Sequence, residues 1–469
     1  MNIIEKKVNV TLCEDPIPYA YEEVPQLEAE DFNKRIESAW NMPQTEGLDF
    51  LVIYGDREHF SNIHYFCGYD IRWEESLMII GRNQKPILFV GNEGLGYSKA
   101  LRSDVDIKMY QTFSLVGQPN DERSLPLKEL LQSCGIVSGC KIGLIGWKMF
   151  RKDLFSLNHL ITDVPHYIVQ TLANITGIEN IQNATDILID CEYGLKHHVT
   201  AKEIVQFDAA GTKVSRGVYH FLKNVHPGIT KPEAAELIGF DGEPLTMHPS
   251  ISFGDKNVSK GPEDTQYTRK LEYGMAISAG YGLRGCLVHR SGMYIRSKED
   301  LPEDKKHFVD ELVKPYFACV VKWYEMMKIG TCCGDIYQMV EDTLGMEKFH
   351  IGLNPGHLSH TDEWTNSPIA KDSKVKLRSG MALQCDFTVG FQSPSMTTHI
   401  EDGLVIADEA LRLEIQRIAP TCYQRIIKRQ QFIREVLGVD LPEEALPLSD
   451  LSCVCFPYMA DVNTVFAKC

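Results

Sequence analysis

No run of this chain stays apolar for the ~18–20 residues that a membrane-spanning helix needs, so no such span is expected. The start, Met1-Asn2-Ile3-Ile4-Glu5-Lys6-Lys7-Val8, interleaves charged with apolar residues and has no signal-peptide core. Basic residues are in the minority, 48 Lys and Arg against 64 Asp and Glu. The resulting net charge of −16 offers no cationic field for nucleic acid or anionic lipid. Internal repeats and low-complexity tracts are absent too. Cysteine is the opposite case: there are 14, yet Cys332-Cys333 and Cys453-Val454-Cys455 lack the paired two-residue spacing of a zinc knuckle. Buried free thiols in a reducing cytoplasm are the expectation.

What is present is enough apolar material for a large core. The 469 residues are 43% hydrophobic and 24% charged, too long for one ordinary domain, and two are expected. Short apolar runs at 51–54, 77–80, 86–90 and 142–146 have strand length, and a helix is expected over 126–134. The texture changes near 176. Residues 201–225 place Ile204, Val205, Phe207, Val214, Val218, Phe221 and Leu222 on one helical face, stopped by His226-Pro227-Gly228. Thr230 with Glu233 reads as the capping box of the next helix. Strands at 275–279, 287–294, 382–389 and 403–406 then alternate with helices at 305–328, 333–344 and 409–437, the last interrupted by Pro420. The apolar end, 441–469, reads as a packed tail or a subunit contact.

The stretch with most chemistry is Asn354-Pro355-Gly356-His357-Leu358-Ser359-His360-Thr361-Asp362-Glu363-Trp364. A turn opened by Asn-Pro-Gly can aim polar side chains into a cleft. Asp386 and Glu401 downstream are the acids expected to join His357, since His, Asp and Glu from separate strands can hold a metal or run acid–base chemistry. The plain alternative for the two acids is an ion pair with Arg290 or Arg284. For His357 it is a turn histidine satisfied by backbone.

These motifs, in this order, resemble the creatinase/methionine aminopeptidase/aminopeptidase P family. His226-Pro227-Gly228-Ile229-Thr230 is similar to its Pro-Gly-x-Thr element, and Ile277-Ser278-Ala279-Gly280 stands where the family has Ile-Asp-Ala-Gly. Gly356-His357, Gly380-Met381 with Asp386, and Ile400-Glu401-Asp402-Gly403 complete the set. Upstream, Ser61-Asn62-Ile63-His64-Tyr65-Phe66-Cys67-Gly68-Tyr69 is similar to the N-domain motif. The resemblance implies an α/β protein: a ribonuclease H-like creatinase N-terminal domain over 1–175, a pita-bread catalytic domain over 176–440, and the tail 441–469.

The family's five ligands, Asp, Asp, His, Glu and Glu, fall on Ser278, His289, His357, Asp386 and Glu401. Serine is a poor ligand for a hard cation and imidazole cannot bridge two metals, so the two-metal centre of the peptidases is expected to be lost. No cofactor is then expected. The alternative is one divalent metal (Zn, Mn or Fe) on His289, His357, Asp386 and Glu401. By resemblance to creatinase, His357 with Asp386 and Glu401 would hydrolyse a C–N bond of a small cationic molecule. His360, His289, His248 and Ser278 are the candidate substrate contacts. A single-metal Xaa-Pro peptidase-like enzyme and a catalytically silent binding protein are the alternatives. Relatives also imply a cytoplasmic homodimer.

Overall fold

The computed structural model describes residues 1–469 apart from 15–23, 72, 119–124, 152–159, 255–266 and the side chain of His248. They form two compact units: Gln26–Lys196, and a discontinuous unit made of Met1–Pro25 with His197–Cys469. Strand β1 (Ile3–Lys7) belongs to the discontinuous unit.

The 26–196 unit is built on β2 (Phe50–Gly55), β3 (Ser76–Gly81), β4 (Ile87–Val90), β5 (Asp106–Met109), β6 (Ile142–Ile145) and β7 (Ile181–Asn183). Their order is β5-β4-β3-β2-β6-β7, antiparallel at β2–β3–β4 and parallel outside it. The apolar runs are continuous because the sheet is covered on both faces. Leu51, Ile53, Met78, Ile80 and Leu88 enter one core with Ile63 and Phe66 of the helix Ser61–Cys67. Phe50, Val52, Leu77, Ile79 and Phe89 enter the other, with Leu130 of the helix Leu127–Ser133 and Leu172 of His166–Thr176. The four expected strands match within a residue. The unit continues past the texture change near 176, through β7, and closes at Lys196.

The discontinuous unit carries β8 (Leu245–Phe253), β9 (Ala276–Leu283), β10 (Cys286–Met293), β11 (His357–Leu358), β12 (Ala382–Cys385), β13 (Val389–Gln392), β14 (Ser395–Ile406) and β15 (Ala445–Pro447). They make one eight-stranded antiparallel sheet, ordered β11-β12-β14-β10-β9-β8, with β13 and β15 also on β14. The expected strand 382–389 is broken in two around Asp386, and the expected 403–406 is only the end of the longer β14. A last strand, β16 (Thr464–Lys468), pairs antiparallel with β1, which is why Met1–Pro25 belongs to this unit.

The helix Ala201–Asn224 packs on β9 and β10. Thr200 and Glu203 form its capping box, and each apolar residue expected on its inner face is buried. Thr230 and Glu233 cap Lys231–Glu236 as expected. The expected helix at 305–328 opens as a wide π turn, Phe308–Val313, before Lys314–Glu325. Pro420 divides Glu409–Ile418 from Pro420–Gln431, because its ring and missing N–H cannot continue a helix. Asp208, inside the long helix, binds the guanidinium groups of Arg425 and Arg429, and Arg429 Nε reaches Asp450 Oδ1 at 2.8 Å. The segment 441–469 is thus locked onto its own chain.

Candidate active site

The centre is assembled by β14 and its neighbours. His399 and Glu401 lie two residues apart, so they face the same side of β14. On β10, His289 stands opposite Glu401 and Ser291 opposite His399. Asp386 follows directly on β12, and β11 brings His357 opposite Gln384. The turn before β11 is fixed by Trp323, whose Nε1 donates to Pro355 O at 2.8 Å. Gly356 has φ +118°, and a Cβ there would meet Gln384 O at 2.9 Å and Trp323 Cζ2 at 3.1 Å. Gly356→Ala is therefore expected to cost about 1–3 kcal/mol, read by thermal melting, and to displace His357.

The His357 ring is fully buried and stacked on Trp364, centroids 4.3 Å apart at 15°. Its Nδ1 donates to Leu358 O at 3.2 Å, which turns Nε2 inward. Three carboxylate oxygens face Nε2: Glu363 at 3.2 Å, Asp386 at 3.6 Å and Glu401 at 4.0 Å. None is aligned as a hydrogen bond, so a buried nitrogen is left without a partner. Burial opposes a charge on His357, but Asp386 and Glu363 outweigh it and push the imidazole up to about 9. Burial also works against ionised Asp386, yet His357 and His399 hold it well below the usual carboxylate range. Burial, with the charges of Asp386, Glu363 and Asp402, pushes Glu401 well above that range.

The expected four-residue set of His289, His357, Asp386 and Glu401 does not converge on one point. His357, Asp386 and Glu401 form one group of potential ligands, and His289, His399 and Glu401 another, with Glu401 in both. His289 is drawn off by His399: their Nδ1 atoms are 2.8 Å apart, and His399 Nε2 donates to Asp386 Oδ1 at 2.8 Å. Burial and the neighbouring His399 hold His289 well below its ordinary range.

Ser278 is buried on β9, opposite Ser291 and Ser252. His360 is buried as well, its Nε2 against Glu203 Oε1 at 2.9 Å and its ring edge-on to Phe207. The His248 side chain lies outside the described residues. The ion-pair alternative for the two acids fails at Arg290, which binds Asp402 Oδ2 at 2.7 Å and the backbone oxygen of Glu401 instead. His399 and Glu363 join the centre although the sequence motifs assign neither of them a role. The period of two along β14, from Glu401 back to His399, was the signal for the first.

The donor chemistry fits a divalent cation. Metal bonds of about 2.0–2.2 Å at tetrahedral angles set donor atoms about 3.3–3.5 Å apart, and the Asp386 and Glu401 oxygens stand slightly wider, 3.6 and 4.0 Å from His357 Nε2. Other features match the sequence expectations more directly: none of the 14 cysteines is in a disulfide and nine are buried. Among the described residues no helix is long and apolar enough to cross a membrane.

No family model matches the chain, and none of the curated proteins matches it. Solved structures do. The prolidase from Pyrococcus horikoshii is 14% identical, with a TM-score of 0.60 over 80% of this chain and 96% of that one. The Xaa-Pro dipeptidase from Bacillus anthracis is 13% identical, with a TM-score of 0.60 over 81% and 96%. The X-Pro aminopeptidase from Thermotoga maritima is 14% identical, with a TM-score of 0.56 over 77% and 94%. With its mixed α/β build and the sheet that carries His289, His357 and Glu401, this chain has the pita-bread fold of the M24 prolidases and aminopeptidase P.

Proposed function

We propose that the chain is a hydrolase that cleaves a C–N bond in a small, cationic substrate, with one divalent cation held by His357, Asp386 and Glu401. The observation that carries this reading is the buried Nε2 of His357, unpartnered and faced by three carboxylate oxygens. Asp386, held well below the usual carboxylate range, supplies a buried negative charge that a cation can balance. A bound cation there would polarise the scissile bond and lower the pKa of an attacking water. Glu363 is more open than its neighbours, 27% exposed against 11% for Asp386 and 8% for Glu401. It is the carboxylate placed to take the proton of the attacking water and pass it to the leaving nitrogen. A positively charged substrate suits this acidic surround and the net charge of −16. The cytoplasmic setting is supported by thiols that remain unpaired.

A second, creatinase-like reading needs no metal. His357 is pushed up to about 9, so its imidazolium can neutralise the acids by itself and serve as general acid. Elemental analysis and chelation separate the two. The metal reading expects at least one equivalent of Zn, Mn or Fe in the purified protein. It also expects hydrolysis of Xaa-Pro dipeptides or of guanidino or ureido compounds that chelator removes and metal restores. Turnover indifferent to chelation selects the creatinase-like reading. No turnover on any of these substrates selects a binding protein.

A further inference from the structure

We infer, on the hydrolase reading, that Tyr316 is a positioning residue of the centre. Its hydroxyl replaces a missing strand neighbour beside Ile400 and so holds His399, Glu401 and Asp386 in place. Tyr316 lies on the helix Lys314–Glu325 and is wholly buried.

At the centre β14 has two edges. On one, β10 sets His289 opposite Glu401 and Ser291 opposite His399. On the other, β12 ends with Cys385 opposite Asp402, and β13 begins with Val389 opposite Thr398. Both pairings keep one register, so an unbroken ladder would set Phe387 opposite Ile400. Residues 386–388 instead leave the ladder. Their departure frees Asp386, whose Oδ1 accepts the Nε2–H of His399 at 2.8 Å while Oδ2 faces His357 Nε2 at 3.6 Å.

The same departure takes from Ile400, which stands between His399 and Glu401, its backbone partner on that edge. Tyr316 supplies the replacement. Its Oη accepts the Ile400 N–H at 3.0 Å and donates to Ile400 O at 3.2 Å, the two bonds that a facing residue would make. Phe387 packs edge-on against the Tyr316 ring, centroids 5.3 Å apart, so the displaced residue and its substitute brace each other. Ile400 and Phe387 are buried as well. Without the hydroxyl, a buried donor and a buried acceptor of Ile400 lose their partner, and the backbone shifts toward others. His399 and Glu401 move with that backbone. A misplacement of about 1 Å in groups of this kind costs about 10²-fold in rate.

The test compares two variants of the full-length protein, each lacking one phenolic oxygen of the same helix. Tyr316→Phe removes the bonds to Ile400. Tyr324→Phe removes a buried hydroxyl that has no hydrogen-bond partner among the described residues. Tyr316→Phe is expected to lower kcat by about 10–100-fold with KM unchanged, and to shift the imidazole nitrogen NMR signals of His399. Tyr324→Phe is expected to change neither. Unaltered kcat in Tyr316→Phe, a rise in KM alone, or equal losses in both variants overturns the inference and leaves the hydrolase standing. Absence of turnover in the unaltered protein removes the hydrolase. The His399 signals then decide: a shift confined to Tyr316→Phe upholds the positioning role, and signals that stay put overturn it. Should Tyr316→Phe not fold, amide exchange in the unaltered protein decides. An Ile400 N–H as slow as those of the β12–β14 ladder upholds the role, and one that exchanges like a loop overturns it.

Discussion

Replacement of His357 by glutamine is expected to lower hydrolytic turnover by about 10²–10⁴-fold while circular dichroism stays unchanged. The expectation is the same with or without metal. If His357 is a ligand, the substitution removes the single nitrogen among three carboxylates. If it is the general acid, it removes an imidazolium that faces them. Glutamine keeps the length and polarity of the side chain, and the stack on Trp364 loses only its aromatic partner. Turnover retained in this variant would dissolve the site assignment, whichever substrate is used.

The largest stability effect is expected at Asp208→Asn. Asp208 is wholly buried and receives Arg425 Nε at 3.0 Å and Arg429 Nη1 at 2.5 Å. Arg429 is itself buried and continues to Asp450 and to Thr212 Oγ1 at 2.7 Å. With the carboxylate neutralised, two guanidinium groups stay inside with one acid fewer to balance them. Breaking a buried pair from one side typically costs about 3–5 kcal/mol, because the partner's charge is stranded. Urea denaturation of the two proteins measures this directly. A difference below about 1 kcal/mol would show that water or rearrangement compensates Arg425 and Arg429.

The parts of the fold that were legible in the sequence are those where one physical signal dominates. The helix Ala201–Asn224 announced itself through apolar spacing and a Thr200–Glu203 cap, and the strands of the 26–196 unit through apolar runs buried on both sides. The long β14 did not, because Thr397, Thr398 and His399 are polar and buried together. Hydrogen bonds to several strands bury that run, and hydrophobicity gives no hint of it. The same holds for the centre. His357, Asp386 and Glu401 were readable as motif residues, and the structure brings them together. The partnership of His289 with His399 depends on the register between β10 and β14, and no local pattern encodes it. The pairing of β1 with β16 joins segments more than 450 residues apart and is invisible for the same reason.

That last pairing has a consequence for biosynthesis. The strand Ile3–Lys7 leaves the ribosome hundreds of residues before Thr464–Lys468 is translated, while the whole 26–196 unit can condense in the meantime. Throughout elongation the early strand waits with open backbone donors and acceptors, a template for association with other nascent chains. Glu5, Lys6 and Lys7 put charge on that waiting strand and make a stray partner costly until the right one is translated.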